Sequence, residues 1–238
     1  IGAHRSLKMG IRGEEEFEGV VDAVDFLREV NLGERARPGK RVVVIGGGNV
    51  AIDAARAAVR LGCEQVSIVY RRSREEMPAY PEEIEGALSE GVEIHYLTAP
   101  LGIVGTNGKV SGFECIQTEL GPPDESGRRR PVPVEGSEFV IDCDAVIPAI
   151  GQQPEVDWAV DEDGLEITRR NTLVVDPHTM QTAVPGVFSA GDSVSGPATV
   201  IEAVASGHKA VEAIHRYING EDLTLYAEEV EAREPPGQ

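Results

Sequence analysis

Gly46, Gly48 and Ala51 stand at the G-x-G-x-x-A spacing, and a run of cations, Arg71, Arg72 and Arg74, follows Tyr70. The first set can hold a pyrophosphate. Its first glycine permits a tight turn, its second lets backbone approach the phosphates, and a small third residue lets helix lie close on strand. The phosphates then rest on the unpaired amides that open the helix. The binding segment is therefore read as Gly46, Gly47, Gly48, Asn49, Val50 and Ala51. The second set selects the dinucleotide. A site for NAD places an acid near this point to bond both ribose hydroxyls, and no acid stands there. Guanidinium forks match a 2′-phosphate by bidentate, charge-assisted bonds, so Arg71 and Arg72 point to NADPH. The competing role for these arginines is to offset Glu75 and Glu76 on a polar surface.

The elements around these residues supply the required context. Arg41 to Ile45 is a β-branched run closed by Gly46-Gly47-Gly48, and Asn49 to Leu61 is an alanine-rich segment without a breaker that stops at Gly62. A second strand is predicted over 65–70, a helix over 81–90 and a third strand over 92–97. This alternation implies a parallel sheet with right-handed crossovers. Upstream, Phe17, Val20, Val21, Val24, Leu27 and Val30 repeat at helical spacing. Beyond Leu101, turn signals at Asn107-Gly108 and across 121–127 predict a β-meander. Arg128-Arg129-Arg130 falls in the second loop and reads as a solvated tip rather than a docking patch. A strand over 144–150 follows, then short strands over 172–175 and 186–190. A long helix over 199–218 carries Val200, Val204, Val211, Ile214 and Ile218 on one side, ahead of a frayed acidic tail.

Composition narrows the function classes. Of 238 residues, 41 % are hydrophobic, enough for a folded core, and the formal charge is −19. Nucleic acid and an anionic membrane face are unsuitable partners for so acidic a chain. The cysteines Cys63, Cys115 and Cys143 form no CxxC and pair with no histidine. Within this sequence that excludes a zinc ribbon, an iron–sulfur site and a redox dithiol, and no metal ligands are assigned. They read as ordinary thiols of a reducing compartment, and no apolar run is long enough to span a bilayer, so a cytoplasmic protein is expected. His95, His178, His208 and His215 lie in no catalytic constellation.

Four stretches together resemble the small subunit of glutamate synthase and its flavoprotein relatives, the adrenodoxin reductase-like branch of the pyridine nucleotide-disulfide oxidoreductases. They are residues 43–56 (Val43 through Gly46-Gly47-Gly48 to Arg56), Tyr70-Arg71-Arg72 with Glu76-Met77-Pro78-Ala79, Ile147-Pro148-Ala149-Ile150-Gly151-Gln152, and Pro185-Gly186-Val187-Phe188-Ser189-Ala190-Gly191-Asp192. The resemblance implies an NADP domain inserted into an FAD domain. It implies flavin contacts from Gly191 and Asp192, with Asp192 accepting from a ribityl hydroxyl. The amides around Thr199 and Val200 would face the flavin's pyrimidine end, and Gly151 would lie near the nicotinamide.

The expected fold is α/β, a Rossmann-type parallel sheet with a β-meander, flanked by parts of an FAD-binding domain. Flavin-domain remnants are placed at 1–32 and 153–220, the NADP domain at 33–152 and an acidic tail at 221–238. The expected function is hydride transfer between NADPH and FAD, with electrons passed to a partner and no catalytic side chain assigned. The family's first glycine-rich motif has no counterpart here. The chain is therefore expected to be a fragment whose partner is an upstream FAD/iron–sulfur half or a catalytic subunit. Three alternatives stay open: a non-catalytic NADP-binding module, the NADP-binding subunit of an electron-bifurcating complex, and a simple NADP dehydrogenase.

Overall fold

A computed structural model describes residues 1–34, 37–123, 127–159 and 164–231. The chain forms two compact units, one of Ser6–Gly151 and one combining Ile1–Arg5 with the chain from Gln152 onward. It enters the larger unit through β1 (Arg5–Ser6). Asp22 then caps α1 (Ala23–Asn31), its carboxylate accepting from the amides of Val24 and Asp25 at 2.8 and 3.1 Å. The helix expected to begin near Phe17 starts later because Gly19 holds a φ of +111°, outside the helical region.

Four strands make the parallel sheet, in the order β4-β3-β2-β8: β2 (Arg41–Ile45), β3 (Gln65–Val69), β4 (Glu93–His95) and β8 (Ala145–Pro148). Between them run α2 (Asn49–Arg60) and α3 (Pro81–Ser89). Strand β2 is buried on both faces. Val42 and Val44 enter a core with Phe26, Ile52, Ile68 and Ile147 on the helical side. Val43 and Ile45 alternate into a second core with Ile103, Phe113 and Cys115 on the other side. The second core belongs to the meander β5 (Thr98–Thr106), β6 (Lys109–Pro123) and β7 (Arg129–Ile141), paired antiparallel. Asn107 and Gly108, at φ +54° and +76°, form the two-residue turn that joins β5 to β6.

The domain boundary differs from the expected one at residue 33. Residues 6–32 pack with the Rossmann sheet and the meander: Phe26 is fully buried in the sheet's helical-side core, and the backbones of Arg12, Glu18 and Gly19 accept from Ile103 and Val110 of the meander and Val146 of β8 at 2.8–2.9 Å.

The chain leaves this unit at Gly151, ahead of β9 (Gln152–Gln153). The smaller unit carries α4 (Asp192–Ser195), α5 (Val200–Ile218) and α6 (Leu223–Glu231). Two expectations are corrected here. The runs 172–175 and 186–190 make only isolated bridges, Ile167–Leu173 and Gln181–Phe188, because side-chain-closed turns at Thr168–Thr172 and Asp176–Thr179 hold this segment. The acidic tail is helical over Leu223–Glu231 rather than frayed, anchored by buried Tyr226 under the Arg216 guanidinium at 4.5 Å. Residues 232–238 of that tail lie outside the described residues. Helix α5 buries Ala210 and Ala213, while Val200, Val204, Val211, Ile214 and Ile218 are exposed.

If α1 is a member of the Rossmann core, Phe26→Ala should cost about 3–5 kcal/mol by chemical denaturation. The exposed Leu32→Ala should change stability by less than about 0.5 kcal/mol. A mild effect at Phe26 would return this helix to the flank.

Candidate functional site

The sheet places a crevice beside Gly46. The chain runs outward from β2 through β3 to β4, then returns through the meander to β8 on the opposite side of β2. Such a reversal opens a gap at the carboxyl ends of the strands, where α/β sheets take their ligands. Gly46 closes β2 there with a φ of +139°, and a Cβ at this position would collide with the carbonyl oxygen of Ala149. The alanine-rich face of α2, with Ala51, Ala54, Ala55 and Ala58 buried, lets the helix lie close on the strands.

The three glycines do different things. Gly47 lies flat against the ring of Tyr70, where a Cβ would fall 2.5 Å from ring carbons. Gly48 faces open space, with no atom within 4 Å of a built Cβ and an extended backbone. It precedes the helix as a cap without a side-chain hydrogen bond, and the first turn of α2 carries no acid. Amides at this position have no intrahelical partner, and the helix dipole adds positive potential. The Asn49 side chain is occupied, accepting from the Tyr80 amide at 3.0 Å. An uncapped, acid-free helix start behind a glycine that leaves room is what an anionic pyrophosphate requires.

The tip of β3 separates the two arginines. Arg71 exposes its side chain, while its carbonyl accepts from Thr118 Oγ1 at 2.8 Å. Arg72 is only 4 % exposed, and its Nε donates to the carbonyl of Arg129 at 2.7 Å. Glu75 and Glu76 accept from Ser73 Oγ, and Arg74 pairs with Glu85. Tyr70 donates its hydroxyl to the Glu76 carbonyl at 2.6 Å; burial raises its pKa, opposed by the charges of Arg72 and Arg128. The role of Tyr70 beneath Gly47 and the arrival of Arg128 and Arg129 at the β3 tip were both missed in the sequence. The second had a signal, since three adjacent cations on a chain of charge −19 need a local reason.

On the sheet's other flank, Gly151 has a φ of +129°, and its carbonyl accepts from the Leu7 amide at 3.0 Å. In the smaller unit Asp192, Thr199 and Val200 meet: all three line one cavity of about 490 Å³ that Gly2 also borders. Gly191, at φ +70°, opens α4 and donates its amide to Ser206 Oγ at 2.9 Å. The start of α5 carries its own carboxylate. Glu202 accepts from the Thr199 amide at 2.9 Å and from its hydroxyl at 2.5 Å, completing a capping box. That negative charge offsets the dipole expected to favour a reduced flavin at Thr199 and Val200.

Cys115 and Cys143 are buried free thiols, and burial pushes both up to about 12. Cys63 is half-buried and also raised by burial. Among the described residues no helix is long and apolar enough to cross a membrane.

A glycine-loop Rossmann sheet with a basic tip on its second strand defines a nucleotide-binding class of fold. The chain belongs to the pyridine nucleotide-disulphide oxidoreductase family, whose sequence profile matches residues 1–207. It is 48 % identical over 220 residues to the NADP(+)-dependent formate dehydrogenase subunit beta of Moorella thermoacetica, covering 91 % of this chain and 31 % of that one. It is 38 % identical over 234 residues to the glutamate synthase [NADPH] small chain of Escherichia coli K12, covering 92 % and 49 %. The chain thus spans 31 % of the first relative and 49 % of the second. Among solved structures, the thioredoxin reductase of T. acidophilum shares the fold with a TM-score of 0.70 at 24 % identity, covering 92 % of this chain and 64 % of that one.

Two outcomes follow from this geometry. Gly46→Ala must accommodate both a positive φ and a backbone collision, so its melting temperature should fall, by the equivalent of about 1–3 kcal/mol. Gly48→Ala, in open space with extended backbone, should melt within about one degree of the parent. At pH 8 a thiol with a pKa near 12 is ionised in about one molecule in ten thousand. An aromatic disulfide reagent should therefore label Cys115 and Cys143 only after unfolding; rapid labelling of all three thiols in the native state would contradict their burial.

Proposed function

We propose that the chain binds NADPH on the Gly46–Ala51 loop and exchanges hydride with FAD, passing the electrons to a partner subunit or domain. The observation that carries this reading is Gly48: open space in front of an uncapped, acid-free start of α2, with the exposed Arg71 beyond the neighbouring strand. On this reading Gly46, Gly47 and Gly48 shape the loop, the amides at Asn49 and Val50 meet the pyrophosphate, and Ala51 sets helix–strand distance. Arg71 meets the 2′-phosphate, Arg72 stands behind it, and Gly151 leaves room at the nicotinamide end. Gly191, Asp192, Thr199 and Val200 are assigned to flavin. The cavity of about 490 Å³ lined by Asp192, Thr199 and Val200, with its carboxylate, fits a polyhydroxyl chain. FAD, when bound, supplies a two-electron acceptor. The chain's own task is to orient and to exclude water, and no side-chain acid or base is assigned to the transfer.

The relatives support the dinucleotide and the partner. Both curated relatives carry NADP or NADPH in their names and are designated as a subunit or small chain. On this reading the flanking residues of the smaller unit are parts of a flavin domain.

Titration calorimetry tests the nucleotide assignment. Arg71→Ala should weaken NADPH by about 10–100-fold, the loss of one charge-assisted contact of ~1.5–3 kcal/mol, with NADH unchanged. Gly48→Val should abolish binding of both nucleotides while circular dichroism stays that of the parent. Equal affinity of the parent for NADPH and NADH would sink the 2′-phosphate reading. For the flavin, visible absorbance after loading with FAD and NADPH-dependent reduction of an artificial acceptor are the measurements. NADPH binding without either would leave a nucleotide-binding module.

A further inference from the structure

The meander does more than cover the sheet. Three hydrogen bonds clamp the β3 tip: the amides of Thr98 and Leu97 donate to the carbonyls of Tyr70 and Arg72 at 3.0 Å, and Thr118 Oγ1 donates to the carbonyl of Arg71 at 2.8 Å. The Arg72 side chain then reaches β7, where its Nε meets the Arg129 carbonyl at 2.7 Å. Arg129 in turn holds the two arms of the β6–β7 pair together, donating to Leu120 and Gly121 carbonyls at 2.5 and 3.3 Å. The start of β7 is thus docked on the end of β3, and Arg128 is the next residue along. It is exposed, and its charge acts on the hydroxyl of Tyr70, the ring on which Gly47 lies. An exposed cation from the meander therefore stands at the same strand tip as Arg71, while Arg72, adjacent in sequence, is buried.

Resting on the NADPH reading above, we propose that Arg128 is the second guanidinium of the 2′-phosphate site, acting with Arg71. Arg72 is a positioning residue that docks β7 and so presents Arg128. The physical case is one of access. A phosphate dianion needs donors that solvent can reach in the free protein, and a side chain 4 % exposed with its Nε committed to a carbonyl is poorly placed to supply a fork. Two exposed guanidinium groups from separate elements can instead converge on one anion. On a chain of charge −19 they also supply the local positive potential that attracts it.

The test uses adenosine 2′,5′-bisphosphate and 5′-AMP as probes, so that flavin plays no part. The ratio of their affinities is measured for the full chain and for Arg128→Ala, Arg72→Met and the double variant, with melting temperature alongside. The parent should prefer the bisphosphate. Arg128→Ala should lower that preference about tenfold at unchanged melting temperature. Arg72→Met should lower the preference similarly and the melting temperature as well. Added to Arg128→Ala, it should reduce the preference no further, because it acts through the missing side chain. An unchanged ratio in Arg128→Ala overturns the proposal and leaves the NADPH reading standing. Additive losses overturn the positioning role and place Arg72 on the phosphate itself. A parent without preference overturns both readings.

Discussion

The two-sided burial of β2 is the constraint on which the larger unit depends. Four residues, Val42 to Ile45, present alternate side chains to two separate cores, one walled by helices and one by the meander. Each buried valine or isoleucine contributes about 1.5–3 kcal/mol relative to exposure. A slip of one residue would exchange the two sets, so register is strongly specified. With the strand fixed in that way, its end is fixed too, and Gly46 must turn against the Ala149 carbonyl where no Cβ fits. The position of the loop is thus a consequence of packing on both faces of the sheet, and the open side of Gly48 follows from it.

Electrostatics at the loop is local against an opposing background. The molecule carries 41 acidic residues to 22 lysines and arginines. A distant acid is screened over about 8–10 Å in salt, so the sign at the loop is set by its immediate surroundings. Those surroundings are a helix start without an acid in its first turn and, past the end of the neighbouring strand β3, the exposed Arg71. The smaller unit differs, since α5 begins at a capping box whose Glu202 carboxylate occupies the amide end. The two helix starts, alike in sequence argument, therefore differ in what they offer an anion.

The thiols bear on the reading of the family name. Cys115 and Cys143 lie in the meander-side core as small apolar groups, and none of the three cysteines forms a disulfide. With burial pushing both up to about 12, Cys115 and Cys143 present little thiolate for exchange.

The sequence alone determined the Rossmann core. The β-branched run at 41–45, the glycine spacing and the uninterrupted alanine helix are local signals, each written within a few residues, and the strands and helices lie where those signals put them. The G-x-G-x-x-A loop was legible for the same reason. The long-range pairings were not. That residues 6–32 join this core depends on Phe26 meeting Ile52 and on Arg12, Glu18 and Gly19 bonding to strands far along the chain. The helix starting at Asp22 rather than Phe17, the bridged segment at 167–188 and the helical acidic segment were likewise set by turns, caps and packing that periodicity does not encode. Arg71 and Arg72 look equivalent as neighbours in sequence. Only the tertiary structure buries one, its Nε donating to the Arg129 carbonyl, and leaves the other in solvent, because that carbonyl is brought to the end of β3 by strand pairing far along the chain.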